Sequence, residues 1–346
     1  MNSSLPSRRT VVAAGMAAVL TLGGWPSAEA QSPDAKARIA RLKPKDYPSE
    51  PIEVNVVYPA GGGMDINARL AARYFEKYTG AQAIVNNRTG GGGLVGHTWL
   101  ANQAAADGYT VAVIANLIFA DSMLRAQGRW SHEKLEPIAF LNSEGISLVV
   151  SADGPHKDRS FKDLVELAKA KPGTIRVSIL PGTIFEYLVE QVEQVSGAKF
   201  LKVPFQGGAP SMTALLGNNV DIALGFYGEI RSFLDSRKLV PVAVSSQERS
   251  PFLAQAPTLN ESLGRSDVVW MATRWVAVPR GVPADRKAYL TAGFTAAAQD
   301  PELQEEFRKL GTVGNTALDT PEKLTRQLGE LVRLERDFYT RTGRLK

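Results

Sequence analysis

The sequence predicts an α/β protein made of two lobes with a ligand cleft between them. Three observations support this fold class: the length of 346 residues allows two domains, strand and helix patterns alternate in two separate stretches, and glycine-rich loops lie between them. Ligands of open α/β sheets bind outside the carboxyl ends of the strands, where those loops fall. Two lobes that present such loops to one another form a cleft.

The first stretch begins at residue 52. Apolar residues alternate from Ile52 to Tyr58, which predicts a strand, and the glycines at 61–63 interrupt this pattern before helical spacing starts at Ile66. Further strands are predicted at residues 83–85, 110–115, 138–141 and 147–150. Because the strands alternate with helices, we expect parallel sheets.

The second stretch opens at Ser160, where residues 160–163 fit a capping box that predicts a helix over 164–170. A strand is expected at 175–179, followed by a turn at 181–183 and a helix that Gly197 ends. The remaining predictions are strands at 201–205, 221–226 and 240–244, and helices at 212–216, 289–299, 302–310 and 321–339.

These patterns predict the domain organisation. The first lobe comprises residues 52–148 and 272–346, including the helical tail, and the second lobe comprises residues 149–271. Residues 31–51 are rich in proline and are expected to form a partly ordered lead-in. Trp270 and Trp275 bracket the return to the first lobe and are expected to be core residues.

Residues 1–30 have the pattern of an export signal. Arg8 and Arg9 precede an uncharged apolar stretch at 11–22, and residues 28–30 have the small-x-small pattern of a cleavage site. The paired arginines favour twin-arginine export, with ordinary secretion as the alternative. We expect cleavage near Ala30 and a free protein in the periplasm, because the apolar stretch is shorter than the roughly 20 residues that span a membrane.

Composition excludes several classes of function. Lys+Arg 40 against Asp+Glu 35 gives a net charge of +5, but the basic residues are scattered, so no nucleic-acid groove is expected. There is no cysteine, which excludes disulfides, thiolate nucleophiles and cysteine metal sites. His97, His132 and His156 are not spaced as metal ligands, and no serine lies in a hydrolase motif. We therefore expect no enzyme, no metal and no cofactor.

The glycine loop at residues 61–63 is suited to an anion. Without side chains, its backbone N–H groups at a helix start can approach a ligand, and the helix dipole adds partial positive charge. Asp65 is interpreted either as a structural cap or as a contact to a polar ligand group. Tyr58 is expected to be a half-buried strand residue, and stacking on an aromatic ligand is the alternative. Glu186 is expected to lie on the surface and to interact with the dipole of its own helix.

A second glycine run, residues 91–96, formally matches the dinucleotide fingerprint. An acidic ribose partner is expected about 20 residues further on, but Asp107 and Asp121 do not lie at that spacing. The match is therefore weak. It leaves open an alternative function, a dinucleotide-dependent oxidoreductase exported through the twin-arginine route.

At four motifs the sequence resembles the Bug or TctC-like family, the periplasmic substrate-binding proteins of tripartite tricarboxylate transporters. The motifs are YPAGGGMD at 58–65, NNRTGGG at 86–92, ADGYT at 106–110 and VPFQGGAP at 203–210. The resemblance covers nearly the whole chain from residue 52. It implies a periplasmic-binding-protein or Venus flytrap fold that closes on a small carboxylate and delivers it to membrane subunits.

The resemblance also implies which loops hold the ligand. Residues 60–65 correspond to the clamp of the first lobe, and residues 180–186, LPGTIFE, to that of the second. The family usually has Gly-x-Gly-Ser-x-x-His in the second clamp, whereas this chain has Leu180 and Glu186 at the first and last positions. This change fits an aromatic acid or an amino-bearing ligand better than a small dicarboxylate.

The predicted function is capture of a small organic carboxylate, either a di- or tricarboxylate, an aromatic acid or an amino acid, by a monomeric binding protein. Membrane subunits of a transporter are the expected partners, and a module that senses carboxylates for a membrane kinase is a further alternative. The predicted ligand-binding residues are Tyr58, Ala60, Gly61, Gly62, Gly63, Asp65, Asn116, Pro181, Gly182, Thr183 and Gly207.

Overall fold

The computed structural model describes residues 33–205, 207–315 and 317–345. The predicted export signal, residues 1–30, lies outside the described residues. Across these three ranges, no helix combines the length and the apolar character that crossing a membrane requires.

Each predicted strand and helix has a counterpart in the structure, which also contains elements that the sequence analysis did not predict. The strands are β1 Ile52–Val56, β2 Ala83–Asn87, β3 Thr110–Ala115, β4 Leu135–Gly145, β5 Ser147–Ser151, β6 Arg176–Ile179, β7 Leu201–Pro204, β8 Ala223–Gly225, β9 Leu239–Val244 and β10 Met271–Pro279. The α-helices are α1 Pro33–Leu42, α2 Gly63–Thr79, α3 Leu94–Asn102, α4 Leu117–Ala120, α5 Phe161–Ala170, α6 Ile184–Ser196, α7 Gly208–Leu216, α8 Tyr227–Asp235, α9 Leu259–Leu263, α10 Ala284–Gln299, α11 Pro301–Lys309 and α12 Pro321–Arg341.

Two sheets have the same strand order. In the first sheet the order is β2-β1-β3-β10-β4. In the second, β6 and β7 pair in parallel, and a bridge from Val177 to Ile222 joins them to the group β8-β5-β9, which makes the order β7-β6-β8-β5-β9. β1 thus corresponds to β6, and the loop that follows β1 corresponds to the loop that follows β6.

Both sheets are mixed, which corrects the expectation of parallel sheets. β1 is parallel to β2 and β3, but β10 is antiparallel to β3 and β4. β5 is likewise antiparallel to β8 and β9. The reason is connectivity: β10 returns to the first sheet from the second, and β5 enters the second sheet directly from β4, so neither is a strand in a simple strand-helix-strand unit.

Local sequence explains several helix ends. Ser160 and Asp163 form the predicted capping box at the start of α5, with a hydrogen bond from the Asp163 N–H to the Ser160 hydroxyl. α6 ends at Gly197, which has the left-handed conformation (φ 78°) that glycine adopts readily. These predictions are confirmed.

The lead-in is more ordered than the sequence predicts. α1 lies within it, and Ala35, Ile39 and Tyr47 are buried in the same core as β1 and α2. The hydroxyl of Tyr47 donates a hydrogen bond to the carbonyl of Gly108 at 2.6 Å. The prolines that indicated an irregular segment lie at the start of α1 and after it, where they do not interrupt the helix.

The C-terminal helix α12 packs against both halves of the molecule. Leu324 and Leu328 are buried in a core that contains Trp275, whereas Phe338 and Tyr339 are buried in the core of the second sheet with Trp270. Both tryptophans are therefore core residues, as predicted. α12 consequently links the two cores beside the strands that pass from one sheet to the other.

Candidate ligand cleft

The first glycine loop, residues 60–63, connects β1 with α2. Gly61 has φ 80°, a conformation that strains any residue with a Cβ atom. The N-cap residue of α2 is Gly62, which has no side chain to accept a hydrogen bond, and within the described residues the N–H groups of Gly63 and Met64 form none. An exposed helix start with unpaired donors is an anion-binding arrangement.

Asp65 stabilises this loop from inside. Its carboxylate accepts hydrogen bonds from the Gly61 N–H at 2.9 Å, from Arg69 Nε at 2.8 Å and from Asn87 Nδ2 at 3.0 Å. Burial alone would raise the pKa of Asp65, but these hydrogen bonds outweigh it and hold the pKa below its usual value. The side chain is 2% exposed, so its position favours the structural interpretation over a ligand contact.

The second glycine loop, residues 180–183, repeats part of this arrangement. Gly182 has φ 72°, and its N–H donates to Oε2 of Glu186 at 2.7 Å. The Thr183 hydroxyl donates to the Leu180 carbonyl at 2.7 Å and accepts from the Phe185 N–H at 3.3 Å. Glu186 therefore contacts its own loop, and the Thr183 hydrogen is not free to donate to a carboxylate.

The other predicted residues have different surroundings. Ala60 and Pro181 are exposed, and Gly207 is the half-buried N-cap residue of α7, again without a side-chain cap. Tyr58 is half-buried against the core, and its buried hydroxyl has no hydrogen-bond partner in the described part of the chain. Burial raises its pKa. Tyr58 is thus half-buried as predicted, but it lies two residues after the end of β1 rather than in the strand.

Asn116 lies in a buried network beside the strands that join the two sheets. Its Oδ1 accepts from the Thr273 N–H at 3.0 Å, and its Nδ2 donates to Glu335 Oε1 at 3.3 Å. The Tyr339 hydroxyl also donates to Glu335, at 3.1 Å. Burial raises the pKa of Glu335 to about 8, against the lowering effect of both hydrogen bonds.

The helix starts of the two sheets converge on one buried arginine, Arg274 of β10. Arg274 Nε lies 3.3 Å from the sulfur of Met64 in the first turn of α2. Its guanidinium carbon lies 5.6 Å from the ring centre of Phe226, the residue before α8, and that ring packs at 5.3 Å against Phe185 in the first turn of α6. A continuous chain of contacts thus connects the first glycine loop with the second.

Sequence reasoning missed Arg274 and its partners. The guanidinium donates to Asn142 Oδ1 at 3.1 Å and forms an ion pair with Glu144. Burial raises the pKa of Glu144, although Arg274 acts in the opposite direction. The available signal was one charged residue in a stretch that otherwise contains apolar residues and Thr273. In the structure every residue of β10 after Met271 is buried. A charged residue is rarely buried without a specific partner.

In the run of glycines at 90–93, three residues are exposed (Gly90, Gly91 and Gly92) and one carbonyl is bonded by a side chain. All four have positive φ, and Arg125 donates to the Gly91 carbonyl and, at 2.7 Å, to Asp121. Asp121 also bonds Nδ1 of His97 at 2.7 Å, and both side chains are buried. His97 therefore has a structural partner.

Chemically, the uncapped start of α2 can hold an anion. Each helix N-terminus carries partial positive charge and contributes about 0.3 to 1 kcal/mol toward a nearby negative group. The start of α2 adds unpaired N–H donors, and the starts of α6 and α8 lie close to it through Arg274 and Phe226. Asp65 and Glu186 are already bonded to their own loops. The arrangement supports binding through the backbone.

A family model described as the tripartite tricarboxylate transporter family receptor matches residues 67–325. Protein BugT of Bordetella pertussis is 29% identical over 271 residues, which cover 77% of this chain and 81% of BugT. A UPF0065 protein in the tcbD-tcbE intergenic region of Pseudomonas sp. is 27% identical over 280 residues, or 80% of this chain and 82% of that protein.

Solved structures share the fold. The periplasmic binding protein BugD has a TM-score of 0.74 at 27% identity, covering 87% of this chain and all of BugD (100%). A TctC solute binding protein from Polaromonas, solved without ligand, has a TM-score of 0.67 at 28% identity, covering 84% of this chain and 99% of that protein. These similarities confirm the predicted two-lobed α/β fold.

Proposed function

The chain belongs to the tripartite tricarboxylate transporter receptor family, as its motifs predict, and from this premise we propose that it captures a small organic carboxylate in the periplasm. It would deliver this solute to the membrane subunits of a transporter. BugD, to which the chain is similar, is a periplasmic binding protein. The proposed ligands are di- and tricarboxylates, aromatic acids and amino acids.

The start of α2 is the observation that carries this proposal. Its N-cap position is a glycine without a side-chain hydrogen bond, and its first N–H groups are unpaired within the described residues. Helices usually satisfy these donors with a capping side chain, so a start without a cap at an exposed glycine loop favours an incoming acceptor. A carboxylate supplies two oxygen acceptors and the negative charge that the helix dipole favours.

Binding would proceed by closure of the two lobes. Ligand contacts that exist only in the closed state shift the population toward that state. We propose the boundaries 52–148 with 272–346 for the first lobe and 149–271 for the second, except that β5, which begins at Ser147 and pairs with β8 and β9, belongs whole to the second lobe. Ser245 supports them, because it bonds both passages between the sheets: its hydroxyl accepts from the Ile146 N–H at 2.8 Å, and its carbonyl accepts from the Trp270 N–H at 3.0 Å.

A thermal-shift panel on the purified protein tests this function. The panel contains succinate, citrate, benzoate, glutamate and NAD, each in large excess. A ligand at about 100 times its dissociation constant adds about 2.7 kcal/mol to the free energy of unfolding, which raises the Tm by several degrees. We expect a shift with one carboxylate class and none with NAD.

Other outcomes would favour other functions. A shift with NAD alone would support the dinucleotide-dependent alternative, and no shift with any carboxylate would contradict the proposed ligand classes. Transport and sensing are separated by capture from membranes of the source bacterium: transporter subunits support the proposal, whereas a kinase supports sensing.

A further inference from the structure

We propose that Arg274 is a positioning residue that couples the strands between the two sheets to the first glycine loop. This inference rests on the proposed function of that loop. It assigns a role to four buried side chains that neither the sequence motifs nor the proposed ligand contacts include: Asn67, Asn142, Glu144 and Arg274.

These side chains form a continuous hydrogen-bonded path. Arg274 donates to Glu144 and, at 3.1 Å, to Asn142 Oδ1. Asn142 Nδ2 donates to Asn67 Oδ1 at 2.6 Å, and Asn67 Nδ2 donates to the carbonyl of Gly63 at 2.7 Å. The path, which we call the asparagine relay, therefore ends on the backbone of the ligand loop.

The asparagine relay begins where the chain passes between the sheets. Glu144 precedes Gly145, the last residue of β4, and Arg274 is the fourth residue of β10. Gly145 is paired with Met271 in the β4–β10 ladder, so the two passages lie side by side. The chain crosses between the two sheets at these residues, so a rotation of one sheet against the other would act on them, and the relay starts beside them.

Burial makes the relay stiff. Asn67, Asn142 and Arg274 are between 0% and 3% exposed. An amide or guanidinium without a partner in such surroundings loses far more than a single hydrogen bond contributes, so each side chain is held by its neighbours. The planar guanidinium fixes two directions at once, toward Asn142 and toward Glu144.

The need for the relay follows from the missing cap. A side chain that capped α2 would occupy the N–H groups that the ligand requires. Asn67 instead bonds the Gly63 carbonyl, on the opposite side of the peptide units, and leaves the donors free. Arg274 also contacts Met64 directly, which adds a second connection to the same turn.

The first experiment cuts the relay at the loop. Asn67→Asp keeps the oxygen that accepts from Asn142 but removes the donor to the Gly63 carbonyl. We measure hydrogen exchange of the free protein in a peptide covering residues 59–70 and expect about five- to tenfold faster exchange, the change for one lost hydrogen bond. A peptide covering 161–170, the residues of α5, serves as the internal reference.

Asn260→Asp is the matched control. Asn260 is also buried, and its Nδ2 has no hydrogen-bond partner in the described residues, while its Oδ1 accepts from the Val268 N–H at 2.9 Å. The control therefore introduces the same chemical change at a buried site outside the relay. It should leave exchange at 59–70 unchanged. Equal exchange at 59–70 in both variants would overturn the proposal.

The second experiment tests Arg274 itself. Arg274→Lys keeps the charge but cannot reach Asn142 and Glu144 together. Its control is Arg176→Lys, since Arg176 also bonds a buried carboxylate, Asp221, through two nitrogens. We expect faster exchange at 59–70 only in Arg274→Lys, with urea unfolding to correct for global stability. If Arg274→Lys changed the urea stability but not the exchange at 59–70, Arg274 would have only a structural role and the proposal would be overturned.

Affinity supplies a separate readout. With whichever of succinate, citrate, benzoate or glutamate stabilises the wild type most, Asn67→Asp and Arg274→Lys should weaken binding about tenfold and both controls should bind normally. Normal affinity in the relay variants would contradict the coupling. Failure of the whole panel with the wild type would contradict the proposed function instead, and the exchange experiment would still decide the relay.

Discussion

The two glycine loops follow equivalent strands of the two sheets, β1 and β6, but they share only one hydrogen bond. In each, a glycine with positive φ donates its N–H to a carboxylate four residues later, Gly61 to Asp65 and Gly182 to Glu186. Beyond that hydrogen bond the loops differ. Asp65 accepts two further hydrogen bonds, from Arg69 and Asn87, whereas α6 is capped by the side chain of Thr183.

This difference indicates a division of roles. The first loop keeps its helix donors free and is fixed from behind, by Asp65 and by the Asn67 bond to the Gly63 carbonyl. In the second loop the Thr183 side chain accepts from one N–H group of the α6 start, that of Phe185. Glycine content alone therefore does not identify a binding loop, because the deciding feature is which donors remain unpaired after the loop has folded.

The largest expected effect is on the first loop. Gly63→Val places a branched side chain where the carboxylate approaches, so we expect binding to weaken at least about 1,000-fold, a loss of about 4 kcal/mol. Nothing lies within 4 Å of a Cβ built on Gly63, and its φ is not positive, so the fold should tolerate the change. Calorimetric titration with the best carboxylate of the panel measures the effect.

Gly329→Val is the control for this variant. Gly329 lies in α12, is exposed, and likewise has nothing within 4 Å of a built Cβ. Gly62→Val is a less clean test, since a Cβ there would lie 3.3 Å from the Pro59 carbonyl. Unchanged affinity in Gly63→Val would show that the first loop is not part of the binding site. It would also contradict the division of roles between the two loops.

The next effect is the pH dependence of stability that the buried carboxyl group of Glu335 causes. Burial raises the pKa of Glu335 to about 8, above the roughly 4.3 of an unfolded chain. The folded state therefore favours the protonated acid, and this contribution is complete below the unfolded pKa and is lost as pH rises through about 8. Between pH 5 and pH 8 we expect a loss of about 3 kcal/mol in the free energy of unfolding.

Glu335→Gln tests whether Glu335 causes this pH dependence. Glutamine mimics the neutral acid, because its oxygen can accept from Asn116 while its NH2 group donates to the Tyr339 hydroxyl oxygen, so the loss between pH 5 and pH 8 should disappear. Urea unfolding at several pH values measures it. A pH profile equal to that of the wild type would show that Glu335 is not the titrating group.

A smaller effect compares the two carboxylates. Asp65→Asn puts an amide donor either against Asn87 Nδ2 or against both the Gly61 N–H and Arg69, so we expect a loss of about 2 kcal/mol in stability. In Glu186→Gln the amide can turn its oxygen to Gly182, and the expected loss is about 0.5 kcal/mol. Urea unfolding of both variants gives the two losses, and equal losses would contradict the division of roles.

The lowered pKa of Asp65 predicts in which direction acid changes the stability of the protein. Because that pKa is lowered in the fold, its stabilising contribution is present above the unfolded value of about 3.9 and is lost as pH falls through the folded value. Asp65→Asn should therefore reduce the acid sensitivity of the protein. Acid titration of both proteins by circular dichroism measures this, and identical acid midpoints would exclude Asp65 as a contributor.

Local patterns predicted the features that depend on neighbours in sequence. β3 begins and ends at residues 110 and 115 as the apolar run predicts, and the capping box at Ser160 forms as expected. The first glycine loop also lies between a strand and a helix where the alternation placed it. Each of these is decided within a few residues.

Features that depend on distant partners were not predicted. The role of Asp65 is decided partly by Asn87, and the relay joins Asn67, Asn142 and Arg274, which no local pattern relates. β10 was missed as a strand because Arg274 interrupts its apolar pattern, and burial of that charge makes sense only with Glu144 beside it.

The smallest expected effect is at Thr183, which the sequence analysis predicted as a ligand-binding residue. The hydroxyl hydrogen already bonds the Leu180 carbonyl, and the oxygen accepts from the Phe185 N–H. Thr183→Val keeps the shape but removes the cap, so we expect a loss of about 1 kcal/mol in the free energy of unfolding and less than about threefold in affinity. Thr183→Ser should restore the stability because serine caps equally well.

Measured together, stability and affinity decide what Thr183 does. A cap acts on the helix in both free and bound protein, so its removal lowers urea stability and leaves the titration with the best carboxylate nearly unchanged. A ligand contact would do the reverse, with about tenfold weaker binding at constant stability. That second result would make the two loops equal partners in binding, and the free donors at α2 would no longer explain why the first loop lacks a cap.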